Sequence, residues 1–185
     1  DTPERLVIEK LALVHGGAFN EEQDTIGFLS ESKLLLGKSV RKRMLAALLR
    51  FGDELADDSS RANRVGLEFG SIPKESLIYH FYSQALHTVK LERNEKSRRL
   101  ELYLSYEFDS DLAKQQFKKH GASKYLLDEI YDRTLKMERE RRYCMRFLRP
   151  CFSLDTIRLE IIVQHAKILQ HRDPIGYSLE EKGYP

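Results

Sequence analysis

The stretch Arg41-Lys42-Arg43-Met44-Leu45-Ala46-Ala47-Leu48-Leu49-Arg50-Phe51-Gly52-Asp53-Glu54-Leu55-Ala56-Asp57-Asp58 decides how this chain is read. Val40, Met44, Leu45, Leu48, Phe51 and Leu55 recur at spacings of three and four, so a helix capped by Ser39 and running to about Asp57 turns one apolar stripe to the core. Arg43, Arg50, Asp53 and Asp57 fall on another face. An acid inside so apolar a helix is costly unless it is paired or holds a cation. Gly52 adds a cost of about 1 kcal/mol in helix propensity against Ala. Two readings follow: either Arg43 or Arg50 pairs with Asp53 and Asp57 on a solvated face, or another segment approaches Gly52 closely and Asp53 serves a ligand.

Upstream, Pro3 opens a helix that carries Leu6, Ile8, Leu11 and Val14 and stops at His15-Gly16-Gly17. The chain to Gly37 is polar and irregular, with a short helix expected over Ser30 to Leu36. Downstream, Arg61 to Ser71 reads as a loop and Pro73 to Gln84 as a helix. The period then changes. Leu100, Leu102, Leu104, Tyr106 and Phe108 alternate strictly, and Val89 and Leu91 echo them across Arg93 to Ser97, which predicts a hairpin with one covered face. Asp109 or Asp111 starts a short helix closed by Gly121. Ser123 caps a long helix that Pro150 must end, and Ile157, Leu159, Ile161 and Val163 mark a last strand. The fold class expected is α+β: a helical region over 1–83, a β-β-α-α-β domain over 84–170 with a small antiparallel sheet against a long helix, and a tail over 171–185.

Composition narrows the function classes. The chain has 185 residues, with 31 Lys and Arg against 29 Asp and Glu, so the net charge of +2 argues neither for nucleic acid nor for a disordered polyelectrolyte. Its apolar runs are far shorter than the ~20 residues that cross a bilayer. Cys144 and Cys151 build neither a disulfide framework nor a zinc motif, which points to a reducing, cytoplasmic compartment. The first residues carry no initiator Met and no signal-peptide core, so the chain reads as a piece of something longer.

The Leu45 to Asp57 run resembles the last conserved helix of the HD superfamily of metal-dependent phosphohydrolases, whose final aspartate ligates the metal. Leu11-Ala12-Leu13-Val14-His15 resembles the helix end and His that precede that element. Ser76-Leu77-Ile78-Tyr79-His80 resembles a stretch found in a bacterial subgroup that occurs beside Hsp90-like ATPases. The likeness covers roughly residues 5 to 165. It implies that Asp53 holds a divalent metal ion, that His15 contacts a phosphate, and that the substrate is a phosphoester such as a nucleotide. The departure is the His-Asp doublet of that superfamily, which occurs nowhere in this chain. A catalytic ion needs several converging N and O ligands, so the resemblance implies half a metal site and a cofactor only where the other half is present.

Arg61 and Arg64 suit a phosphate bidentately. Lys74 adds charge, and His80 can face the same ligand or sit on a helix surface. His87, His120, His165 and His171 lie too far apart in sequence to form a cluster. The basic run Lys136, Arg139, Arg141, Arg142, Arg146 and Arg149 is interrupted by Glu138 and Glu140, which favours a solvated face over RNA binding. Two functions remain: part of an HD-type phosphohydrolase, or a non-catalytic HD-derived module that binds a partner protein or RNA.

Overall fold

A computed structural model describes residues 2–15, 25–56 and 59–164, with His15 described by its backbone alone. The elements in chain order are α1 (Pro3–His15), β1 (Lys33–Leu35), β2 (Lys38–Val40), α2 (Lys42–Glu54), α3 (Arg64–Glu68), α4 (Leu77–Ala85), β3 (Leu86–Arg93) and β4 (Leu100–Asp109). They continue with α5 (Ser110–Lys114), β5 (Gln116–Lys119), β6 (Ala122–Tyr125), α6 (Leu126–Leu148) and β7 (Thr156–Gln164). The α+β class is as expected. The described residues group into two compact units, one drawn from the chain up to Ala56 and from Met137–Ser153, the other from residues 59–136 and 154–164. Helix α6 runs through both.

In the first unit the helix expected over Ser30 to Leu36 is instead the hairpin β1–β2. Its two-residue loop, Leu36-Gly37, has positive φ at both positions (48° and 76°), the geometry that matches strand twist. A leucine there costs backbone strain and gives no turn signal, which is why the sequence hides the hairpin. Ser39 consequently lies in β2, and α2 begins after Arg41 with no side-chain cap.

Helix α2 is rotated relative to its expected stripe. Lys42, Ala46, Ala47, Arg50 and Phe51 are buried, whereas Leu45, Leu48 and Leu49 are exposed. The rotation has an electrostatic cause. The Arg50 guanidinium donates to both carboxylate oxygens of Glu140, at 2.6 and 2.8 Å, and a third bond reaches Thr25 Oγ1 at 3.2 Å. It also lies 4.7 Å from the ring centre of Tyr143, whose hydroxyl accepts the Ile26 N–H. Hydrogen bonding to Glu140 raises the Arg50 pKa above its ordinary value against the opposing effect of burial. Burial, with the Glu140 charge, pushes the neighbouring Cys144 thiol up to about 12, which makes it an inert core group.

In the second unit, the segment expected as a loop holds a 3-10 turn (Ser59–Arg61) and α3, whose N-terminus Asn63 caps by accepting the Gly66 N–H at 2.9 Å. The β3–β4 hairpin is as expected, with Arg93 opposite Leu100. Strand β7, however, pairs parallel to β4, from Glu101 opposite Thr156 to Asp109 opposite Gln164, so the three-stranded sheet is mixed, in the order β3-β4-β7. A parallel partner needs a long crossover, and α5 through α6 supply it. Asp109 Oδ1 caps α5 by accepting the N–H groups of Asp111 and Leu112. The short helix then ends at Lys114 rather than at Gly121. His120-Gly121 (φ 48° and 81°) is instead the two-residue loop of hairpin β5–β6, which also places Ser123 in a strand. The core of this unit holds Ile78, Leu102, Leu104 and Ile130, with Tyr82 and Tyr106 hydroxyl to hydroxyl at 2.8 Å.

A buried charge also organises this unit. Glu129 is 1 % exposed and accepts from Lys119 at 2.6 Å, Lys124 at 2.9 Å and Arg133 at 2.9 Å. Burial acts to raise its pKa, but the hydrogen bonds from the three cations outweigh burial and hold it at about 2.

Two stability outcomes follow. Because the folded pKa of Glu129 lies below the ordinary 4.5, its stabilisation is complete above that pH and is lost as pH falls toward about 2. That loss is roughly 3 kcal/mol. Urea unfolding between pH 5 and 2 (roughly the range where the proton binds) should therefore be flatter in Glu129→Gln than in the wild type. Glu140→Ala leaves the buried Arg50 without its counter-charge and should lower unfolding free energy at neutral pH by roughly 3–5 kcal/mol.

Candidate functional site

The helix that carries the candidate metal ligand presents a face unlike the one expected. Leu45, Leu48, Leu49 and Gly52 lie within one side of α2, and none of the three leucines is buried. Around Gly52 no atom lies within 4 Å of where a Cβ would stand, so the close approach expected there is not made by the described residues. Asp53 follows Leu49 by one turn, at the edge of that open face. Its carboxylate is exposed and makes no hydrogen bond or ion pair among the described residues. The arginines expected to pair with it are committed elsewhere: Arg50 to Glu140, and Arg43 to the carbonyl oxygens of Leu29 and Gly27 at 2.7 and 2.9 Å. Exposure also removes the cost attached to an acid in an apolar helix. His15 closes α1, which packs on α2, and its side chain lies outside the described residues.

The remaining candidates lie in the second unit. Arg61 ends the 3-10 turn and Arg64 opens α3, both exposed, on either side of Asn63. His80, half-buried on α4, accepts the Asn63 N–H on Nδ1 at 3.3 Å. That bond assigns the proton of a neutral ring to Nε2 and brings the two-arginine segment against His80. Lys74 is exposed in the turn that Ser76 N–H closes onto the Pro73 carbonyl at 2.8 Å, and it makes no side-chain bond among the described residues.

Sequence reasoning did not anticipate the cluster around Tyr79. Lys119 and Arg133 lie 4.8 and 5.4 Å from its ring centre, and its hydroxyl lies 3.5 Å from His120 Nε2. Only the Glu129–Arg133 pair had a local signal, the i,i+4 spacing on one helix. On the second half of α6, Glu138 accepts from Arg141 and Arg142, which neutralises part of the basic run. His165 and His171 lie outside the described residues. Among the described residues, no group of three or more His, Cys, Asp or Glu side chains is placed to hold a metal ion.

The run that carries the HD resemblance lies largely on α2 of an α+β chain, and an HD-related protein is the class that the resemblance implies. The comparison with family models is consistent with that class: residues 1–136 match the family described as HD-CE, and the chain belongs to that family. No curated protein and no solved structure matches it.

The hydrogen bond made by His80 has a measurable consequence. His80→Ala removes the acceptor of the Asn63 N–H and should lower unfolding free energy by about 1 kcal/mol. Denaturant titration at neutral pH reads this directly, and an unchanged midpoint would mean that His80 does not hold α3 against α4.

Proposed function

We propose that the chain carries part of an HD-type metal-dependent phosphohydrolase site, with Asp53 as a ligand of a divalent metal ion. The observation behind this reading is that Asp53, in the segment matched to the family, has an exposed carboxylate with no hydrogen bond or ion pair among the described residues, beside the exposed Leu45, Leu48 and Leu49. Carboxylate oxygen suits a hard divalent ion, and a single carboxylate is an incomplete set. A further helix seated on the leucine face would bring the remaining ligands to Asp53.

When bound, the ion supplies Lewis acidity and an acidified water for attack on a phosphoester, a nucleotide among the candidates. This chain's own groups then divide the work. Asp53 would supply a carboxylate ligand to the ion, and His15 would contact the phosphate. In the second unit, taken by itself, Arg61, Arg64 and Lys74 carry charge that suits a phosphate, and His80 would donate from Nε2 while Nδ1 accepts the Asn63 N–H. Arg64 and Lys74 have no competing ion pair among the described residues, which leaves their charge available. Among the described residues no helix is long and apolar enough to cross a membrane, and two free thiols support a cytoplasmic setting.

The breadth of the apolar surface favours a second reading, a non-catalytic HD-derived module for a partner protein. Besides the α2 leucines, Leu6, Ile8 and Leu13 of α1 are exposed. RNA is less favoured, since Glu138 ties up Arg141 and Arg142.

Metal analysis of the full-length protein separates the two. The hydrolase reading expects a bound divalent ion, a lower occupancy in Asp53→Asn, and, for both proteins stripped of metal, unfolding free energies within about 0.5 kcal/mol of each other, because the side chain is exposed and has no partner among the described residues. Unchanged metal content in that variant removes Asp53 from the site. A protein free of metal that still associates through the leucine face is the module.

A further inference from the structure

The N-terminus of α2 carries charge of the wrong sign for a helix left to itself. The backbone dipole sets up positive potential there, and acids or capping oxygens normally answer it. Among the described residues no side chain caps α2, its first turn holds no acid, and Arg41, Lys42 and Arg43 follow one another instead. The Leu45 N–H reaches the Arg41 carbonyl at 3.1 Å, so the N–H groups of Lys42, Arg43 and Met44 have no acceptor within the helix.

The cations differ in what they meet. Arg43 donates to the carbonyl oxygens of Leu29 and Gly27 at 2.7 and 2.9 Å. Arg41 is exposed and donates from Nη1 to Cys151 Sγ at 3.3 Å, a weak acceptor. Lys42 is only 7 % exposed and makes no hydrogen bond or ion pair among the described residues. A buried ammonium is costly unless a counter-charge meets it. Side chains of a helix lean toward its N-terminus, and Lys42 holds the first position, so its ammonium is carried back to the same end as the free N–H groups.

Uncapped amides and a covered ammonium favour the same species, an oxyanion. Phosphate suits them best, because its several oxygens can accept from backbone N–H groups and from a cation at once. We propose that the N-terminus of α2 binds a phosphate group, free or as the end of a monoester, with Lys42 as its principal cation and Arg41 as a second. The site is separate from the one proposed at Asp53. Lys42 and Asp53 stand eleven residues apart on α2, roughly 16 Å along its axis. It also belongs to the first unit, whereas Arg61, Arg64, Lys74 and His80 belong to the second.

Isothermal titration of the full chain in EDTA tests this, with inorganic phosphate and phenyl phosphate as ligands and sodium chloride of equal ionic strength as the control. Both phosphates should bind saturably and chloride should not. Tighter binding of phenyl phosphate assigns the site to a monoester, and equal affinities assign it to the free ion. Lys42→Met keeps the covered stem and removes the charge, so it should weaken phosphate binding at least about tenfold. Arg41→Gln, at an exposed position, should weaken it to a smaller extent and decides the matter if Lys42→Met is unfolded by circular dichroism. Phosphate should also raise the urea midpoint of the wild type and not that of Lys42→Met, a response that a purely structural lysine would not give. Absence of saturable phosphate binding to the wild type overturns the proposal. So does unchanged affinity in a folded Lys42→Met, the outcome expected if Arg61 and Arg64 hold the ion, or in Arg41→Gln where Lys42→Met does not fold. The measurement excludes metal, so its failure leaves the reading of Asp53 untouched.

Discussion

The bidentate pair between Arg50 and Glu140 decides which way the central helix of the first unit faces. A guanidinium taken out of water must keep its counter-charge and its remaining donors satisfied, and Glu140, Thr25 and the ring of Tyr143 provide for that at one place only. With Arg50 pointing inward, Ala46, Ala47 and Phe51 go with it. The leucines at 45, 48 and 49 and the carboxylate of Asp53 are then turned outward, since a helix has one rotation about its axis for all its side chains. The exposure of Asp53 is thus a consequence of a salt bridge made one turn away on the same helix.

Charge plays a similar part in the second unit. Glu129 gathers one lysine from each strand of the β5–β6 hairpin and an arginine of its own helix, so ion pairs anchor both short strands to α6. Phe117 supplies the apolar contact, with its ring 5.4 Å from that of Phe81. Phe81 also lines the pocket between α4, α5 and the ends of β4 and β7.

Particular elements show why some of this was legible beforehand and some was not. The β3–β4 hairpin was readable because its apolar residues alternate over a whole strand, and α6 because three-four spacing persists until Pro150. The hairpins at Leu36-Gly37 and His120-Gly121 were not, since neither pair is a usual turn signal at its first position. Asp53 was legible as a candidate through likeness to a metal-ligating helix. Its exposure was not, because a hydrophobic stripe states which face prefers burial and says nothing of whether a partner is there to bury it. The approach of His87 to Glu107 was invisible in the same way, since the two come from different strands at a register irregularity.

Local patterning in the chain alone therefore determined the α+β class, the main helices and strands, and membership of an HD-related family. Those properties depend on periodicity and short motifs, which a linear string carries in full. The rotation of α2, the parallel placement of β7 and the convergence of distant acids and bases were decided by tertiary structure. Each depends on a pairing between residues far apart in the chain, such as Arg50 with Glu140 or β4 with β7, and the energy of such a pairing exists only once folding has brought the partners within a few ångströms.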